Sequence, residues 1–188
     1  MIDPNEMLVT LADVVSRLDD LNVPYMVTGS FALSTYATAR TTMDIDIVME
    51  IGSLNAERFA AKFAPDYYVS AASIRRAEQH GSMFNMLDNL TGVNVDCIVR
   101  KSDKIEAEKF DRRRRATLGG VEFWVITKND LILSKLRWAK DSHSEVQFRD
   151  IRTLTEAGVD EKQILDQVKT EGLMEVWKAF EEWKTHES

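Results

Sequence analysis

Residues 25–50 have the sequence YMVTGSFALSTYATARTTMDIDIVME, and two parts of this stretch carry most of the information about the fold. The apolar run Tyr25–Thr28 predicts a short β-strand that leads directly into Gly29-Ser30. In the segment Asp44–Glu50, apolar side chains recur at every second position. This spacing predicts a second strand with Ile45, Ile47 and Met49 on one face. A strand, a tight turn and another strand within 26 residues favour a fold built around a sheet.

The second strand carries two acidic side chains on one face. Asp44 and Asp46 are expected to lie roughly 7 Å apart at Cα, where like charges repel, and a purely structural strand gains nothing from them. We therefore interpret them as ligands for a divalent cation. Asp96 belongs to a later predicted strand and shares their face if the two strands are neighbours. Three carboxylates so arranged can hold two metal ions about 4 Å apart, and hard oxygen ligands suit Mg²⁺ (or Mn²⁺).

The Gly29-Ser30 pair predicts a phosphate-binding turn beside these carboxylates. Gly29 allows a sharp turn and a close approach of the backbone to a ligand. Ser30 is expected to open a helix, whose first N–H groups favour an anion.

The remaining pattern predicts a mixed α/β (α+β) chain with a β-sheet flanked by helices and a helical C-terminal part. Two hairpins are expected around residues 88–92 and around Gly119-Gly120. Helical periodicity predicts helices over residues 5–21, 31–36, 54–64, 128–140, 144–156, 160–169 and 172–184. We predict a catalytic domain over residues 1–126 and a helical subdomain over residues 127–188.

Two charged residues fall on apolar faces of the C-terminal helices. Lys135 follows Leu131 and Ile132 at helical spacing, and Asp150 lies on the apolar face of the next helix. Lysine is rarely buried without a partner. We favour a functional interpretation, in which Lys135 contacts the phosphates and Asp150 orients it, over a purely structural ion pair.

The composition excludes some functional classes. The chain has 188 residues and a net charge of −7, which argues against a broad nucleic-acid surface. The one dense basic patch, Arg112–Arg115, is equally consistent with a solvated run and with a phosphate-binding role. The single cysteine, Cys97, excludes an intramolecular disulfide and a cysteine-cluster zinc site. Neither a signal peptide nor a membrane-spanning stretch is predicted, so a cytoplasmic location is expected.

These motifs resemble a known superfamily. The runs Thr28–Leu33 and Arg40–Ile47, followed by Asp96, are similar to the Gly-Ser, spacer and D-x-D signature of DNA-polymerase-β-like nucleotidyltransferases, with Asp96 at the position of the third carboxylate. Lys135-Leu136 and Phe148–Ile151 resemble the helical half of AbiEii-type nucleotidyltransferases of toxin–antitoxin and phage-defence systems. The resemblance implies an NTP substrate, three catalytic and metal-binding residues (Asp44, Asp46, Asp96), four nucleotide-binding residues (Gly29, Ser30, Arg40, Lys135) and two supporting residues (Arg149, Asp150).

The implied activity is transfer of a nucleoside monophosphate to an acceptor, either RNA such as a tRNA end or protein, with an antitoxin as a further expected partner. Two alternatives stay open at this point. The first is an antibiotic nucleotidyltransferase of the lincosamide or aminoglycoside type, and the second is a non-catalytic nucleotide-binding module of the same fold.

Overall fold

A computed structural model describes residues 3–38, 42, 44–52, 55–142 and 144–186. The helices are α1 (Pro4–Asp20), α2 (Gly29–Leu33), α3 (Ala56–Phe63), α4 (Ala71–His80), α5 (Lys104–Asp111), α6 (Lys128–Ser142), α7 (Glu145–Glu156), α8 (Glu161–Thr170) and α9 (Met174–His186). The strands are β1 (Tyr25–Thr28), β2 (Asp44–Met49), β3 (Tyr67–Tyr68), β4 (Met83–Asp88), β5 (Asn94–Val99), β6 (Arg114–Leu118) and β7 (Val121–Val125).

The strands form one mixed sheet in the order β3-β4-β5-β2-β1-β7-β6. Strand β2 lies in the middle, antiparallel to β1 and parallel to β5. The hairpins β4–β5 and β6–β7 are antiparallel, as their turn residues predict. The predicted mixed sheet with flanking helices is confirmed.

The alternation within the strands separates a packed face from a polar face. Ile47, Cys97 and Phe84 are neighbours in the strand register on the packed face and are buried. Helices α1 and α3 cover this face, since Thr10 of α1 donates to buried Asp88 of β4 and Phe59 of α3 contacts Phe84 edge to face. The opposite face, which carries the acidic side chains, is therefore left to α2 and the C-terminal helices.

Helices α6–α9 follow the last strand, and the predicted boundary at residues 126/127 falls between β7 and α6. Helix α6 contacts α2 and also packs against α7, α8 and α9. This arrangement brings the buried face of α6 next to the turn that follows β1. None of the helices in the described part of the chain is long and apolar enough to cross a bilayer.

The observed elements differ from the predicted ones in several places. The helix expected over residues 31–36 begins two residues earlier, at Gly29, and ends at Leu33. Helix α4 was not predicted, because only Ile74 and Ala77 of its ten residues are buried, and so short an apolar pattern gives little periodic signal.

Candidate active site

The register of β2 and β5 brings the acidic residues together. Asp46 is paired directly with Asp96 in the parallel ladder, and Asp44 lies two residues before Asp46 on the same face. All three line one cavity of about 610 Å³. The prediction that Asp96 shares the face of Asp44 and Asp46 is confirmed.

Neighbouring polar side chains orient two of the carboxylates. Asn85 and Asn94 each donate an amide N–H to the same oxygen of Asp96, Oδ1, at 2.5 Å. The Thr42 hydroxyl donates to Asp44 Oδ1 at 2.6 Å. Asn85 is paired with Asp96 across the β4–β5 hairpin, and Asn94 precedes it by two residues on the same face. These residues were not predicted, although both asparagines share the face of Asp96 in the predicted hairpin.

The surroundings of Asp46 disfavour the ionised form of its carboxyl group. Burial, followed by the negative charges of Asp44 and Asp96, raises its pKa to about 6 from the ordinary 3.8. The positive charge of Lys135 and a hydrogen bond from the Ser30 backbone N–H act in the opposite direction. The site thus holds more negative charge than its own cations compensate.

Gly29 fits the turn after β1 for two reasons. Its φ is +63°, a left-handed conformation that residues with a side chain rarely adopt. A Cβ at this position would also overlap the Asp46 carboxylate, so the backbone approaches Asp46 as closely as only glycine permits.

The role expected for Ser30 differs in part from the structure. Helix α2 has five residues, and the Ser30 N–H donates to Asp46 rather than pointing free from a helix end. Ser30 nonetheless lines the cavity.

Helices α6 and α7 supply a buried ion pair beside the carboxylates. Lys135 Nζ donates to Asp150 Oδ2 at 2.6 Å and lies 3.5 Å from Gln147 Oε1. The two charged side chains are 5% and 4% exposed. Lys135 and Gln147 both line the cavity, and the positive charge of Lys135 also acts on Asp46, whose pKa it lowers.

Comparison with solved structures identifies the architecture. The antibiotic-resistance factor ANT(2'')-Ia superposes with a TM-score of 0.55 at 13% identity, over 99% of this chain and 100% of that one. A nucleotidyltransferase-like protein from Paracoccidioides brasiliensis gives a TM-score of 0.53 at 15% identity, over 96% and 94% of the two chains. A candidate nucleotidyltransferase from Thermotoga maritima gives 0.52 at 18% identity, over 78% and 92%. The chain has the nucleotidyltransferase fold. No family model and no curated protein sequence matches it.

Within this nucleotidyltransferase fold, the cavity is larger than the group of residues predicted from the sequence. It extends to residues of β5, of the β5–α5 connection, of α5 and of α6 that no motif indicated, namely Ile98, Val99, Arg100, Lys101, Glu106, Lys109, Ser134 and Trp138. Lys109 is buried and donates to Glu106 Oε1 at 2.6 Å and to Ser134 Oγ at 3.2 Å. The burial of Lys109 could not be predicted from the sequence, because the short helix α5 gives no clear apolar face on which a buried charge would stand out.

Other predicted residues lie elsewhere. The Arg149 side chain is 56% exposed, pairs with Glu145 on the surface of α7, and does not line the cavity. Arg40 falls outside the described residues. Arg112–Arg115 do not line the cavity either. In the described ranges no three His, Cys, Asp or Glu side chains are already drawn together as a metal-binding cluster.

Proposed function

We propose that this chain transfers a nucleoside monophosphate from an NTP to an acceptor hydroxyl or phosphate, with release of pyrophosphate. The observation that carries the proposal is the alignment of Asp44, Asp46 and Asp96 on one face of adjacent strands, in a cavity that also contains Gly29 and Lys135. The nucleotidyltransferase fold supports the same reaction class.

The three carboxylates fit a hard divalent cation, Mg²⁺ or Mn²⁺. Their oxygens are the ligands that such ions prefer. The raised pKa of Asp46, caused by burial and by its two acidic neighbours, reflects negative charge that a divalent cation would neutralise. A bound metal would supply charge neutralisation at the triphosphate and ionisation of the acceptor hydroxyl.

The protein's own groups have separate tasks in this proposal. The Lys135 ammonium, held by Asp150, contacts non-bridging oxygens of the triphosphate. Asp96 Oδ1 is occupied by two amide donors, so Oδ2 is the oxygen left to take the proton of the acceptor hydroxyl. The acceptor oxygen then bonds to the α-phosphorus while the bond to pyrophosphate breaks.

Modification of a small molecule is the second candidate function, and the net charge of the chain favours such an acceptor over RNA. The chain carries a net charge of −7, which repels polyanions and attracts cations at long range. The similarity to ANT(2'')-Ia, which has also been solved in complex with adenylyl-2''-tobramycin, spans 97% of this chain. An aminoglycoside- or lincosamide-type antibiotic is therefore tested alongside the RNA and protein acceptors of the AbiEii-type resemblance.

Transfer can be tested with each of the four NTPs labelled at the α-phosphate, in the presence of Mg²⁺ or Mn²⁺. Three acceptor pools are compared: total tRNA, a cell protein extract and a panel of aminoglycosides and lincosamides. Label is expected on one pool and only with metal. Asp44→Asn, with an unchanged circular dichroism spectrum, should abolish the labelling. Metal-independent labelling, or equal labelling by the variant, contradicts the proposal, and nucleotide binding without transfer indicates a binding module.

The toxin role has its own test. Expression of wild type should arrest growth, and expression of Asp96→Asn at the same level should not. Growth arrest by both the wild type and Asp96→Asn would show that toxicity does not depend on catalysis. Drug protection without arrest would favour the antibiotic acceptor and remove the expectation of an antitoxin partner.

A further inference from the structure

One face of α6 contributes a regular row of side chains to the cavity. Leu131, Ser134, Lys135 and Trp138 follow each other at positions i, i+3, i+4 and i+7 and all line it. Trp138 lies one turn beyond Lys135, about 4.5 Å further along the helix axis. Trp138 as a whole residue is 62% exposed, whereas Leu131 and Lys135 are buried.

The ring of Trp138 differs from the other three indoles of the chain. Trp124 is covered by Arg113 and Arg115, Trp177 packs on Phe180, and Trp183 packs on Phe148 and Phe180. Among the described residues, no aromatic ring or cation is stacked on Trp138. An indole is large and apolar, so its open face is a preformed surface for another flat ring.

The cavity that Trp138 lines contains apolar as well as charged side chains. Ile98 and Val99 from the end of β5 line the same cavity and add apolar surface. The cavity volume of about 610 Å³ lies within the range typical of sites for ligands of nucleotide size. A ligand whose phosphates contact Lys135 would therefore have its next part within reach of Trp138.

We propose that Trp138 stacks on the base of the bound NTP and so favours purine over pyrimidine nucleotides. This inference rests on the proposed function, because it takes the triphosphate to lie at Lys135. Base–aromatic stacking stabilises a complex whatever hydrogen bonds the base makes, and the larger purine ring overlaps the indole more fully.

The experiment measures dissociation constants by calorimetry, with Mg²⁺, for wild type, Trp138→Leu and Trp138→Phe. The ligands are non-transferable α,β-methylene analogues of ATP and CTP, and inorganic tripolyphosphate, which has no base. In Trp138→Leu the Kd of the ATP analogue should rise about 10-fold, within a range of about 5- to 100-fold. The Kd of the CTP analogue should rise less, Trp138→Phe should retain most of the affinity, and the Kd of tripolyphosphate should not change.

The other results separate failure of this inference from failure of the proposed function. An unchanged Kd of the ATP analogue in Trp138→Leu removes Trp138 from the base site, even if the wild type transfers nucleotides normally. An equal loss for tripolyphosphate means that Trp138 shapes the phosphate site instead. Stacking with no transfer to any acceptor would preserve this inference and remove the proposed catalysis. A wild type that binds neither the nucleotide analogues nor tripolyphosphate would overturn both.

Discussion

Asp46 is a residue of the candidate site whose ionised side chain destabilises the folded state. Its pKa is about 6 in the folded chain against an ordinary 3.8, mainly through burial and then through Asp44 and Asp96. The folded state therefore binds this proton more tightly than the unfolded state. Ionisation of Asp46 destabilises the fold, and this effect sets in as the pH rises from about 4 to about 6.

Asp46→Asn is therefore expected to raise the free energy of unfolding by about 1–3 kcal/mol at pH 7.5 and to have little effect near pH 4. Urea unfolding at both pH values measures the difference, and the exposed Asp141→Asn serves as the control. An equal gain at the two pH values would show that the charge of Asp46 is not its cause.

Lys135 combines a structural role with the proposed phosphate contact, and a pair of variants separates them. Lys135→Met leaves Asp150 buried without its cation, so we expect a loss of about 3–5 kcal/mol in stability. The affinity for Mg²⁺·NTP should fall by a few-fold to about a hundredfold. In the double variant Lys135→Met/Asp150→Asn, stability should recover while affinity stays low. Recovery of both, or an unchanged nucleotide Kd in Lys135→Met, would assign Lys135 a structural role only.

At the scale of elements, the connection from β1 to α2 determines how closely the backbone approaches the carboxylates. This close approach is possible because Gly29 has a positive φ and no side chain that would overlap Asp46. Gly92, in the β4–β5 hairpin, also has a positive φ, +72°, but faces open space. The two glycines therefore differ in the contact and not in the backbone conformation.

Gly92→Ala should destabilise the chain by about 1–2 kcal/mol from backbone strain alone. Gly29→Ala should destabilise it by more, because the new methyl group displaces the Asp46 carboxylate, and it should also abolish transfer. Thermal unfolding and the transfer assay compare the two variants. Equal stability losses and retained transfer in Gly29→Ala would show that the close approach is not required.

At the scale of the whole molecule, the contacts of the basic run test the expectation of an RNA acceptor. The four arginines from Arg112 to Arg115 are all engaged within the chain. Arg112 forms a two-point contact with Asp130, Arg113 stacks on Phe110, Arg114 donates to the Tyr36 hydroxyl, and Arg115 pairs with Glu122. These contacts favour a structural role over an RNA-binding role for the run.

Arg112→Gln should therefore lower stability by about 1–3 kcal/mol, since it leaves the Asp130 carboxylate, 2% exposed, without its ion partner. Arg115→Gln, which removes an exposed pair, should change stability by less than about 1 kcal/mol. Neither change should alter nucleotide affinity. If Arg113→Gln and Arg115→Gln together weakened tRNA binding and flattened its dependence on salt, the RNA-binding role would be restored.

The sequence by itself determined the local parts of this protein. The alternation in Asp44–Met49 assigned each side chain to a face, the Gly29 turn was evident next to a strand, and apolar periodicity predicted the four C-terminal helices. These features depend on residues only a few positions apart, whose preferences act through backbone sterics and side-chain direction. The charges of Lys135 and Asp150 on apolar helix faces also indicated a contact between these two residues, which form an ion pair in the structure.

The tertiary structure alone decided which of these parts meet. Asp46 and Asp96 are 50 positions apart and become neighbours only because β5 pairs with β2. The Asn85 amide reaches Asp96 through the hairpin register, and α6, packed on α2 and α7, places Trp138 in the cavity that the carboxylates also line. Such contacts depend on burial of apolar surface summed over the whole chain. Short-range spacing therefore predicted the chemistry that we propose for the site, and the packing of distant segments determined its shape.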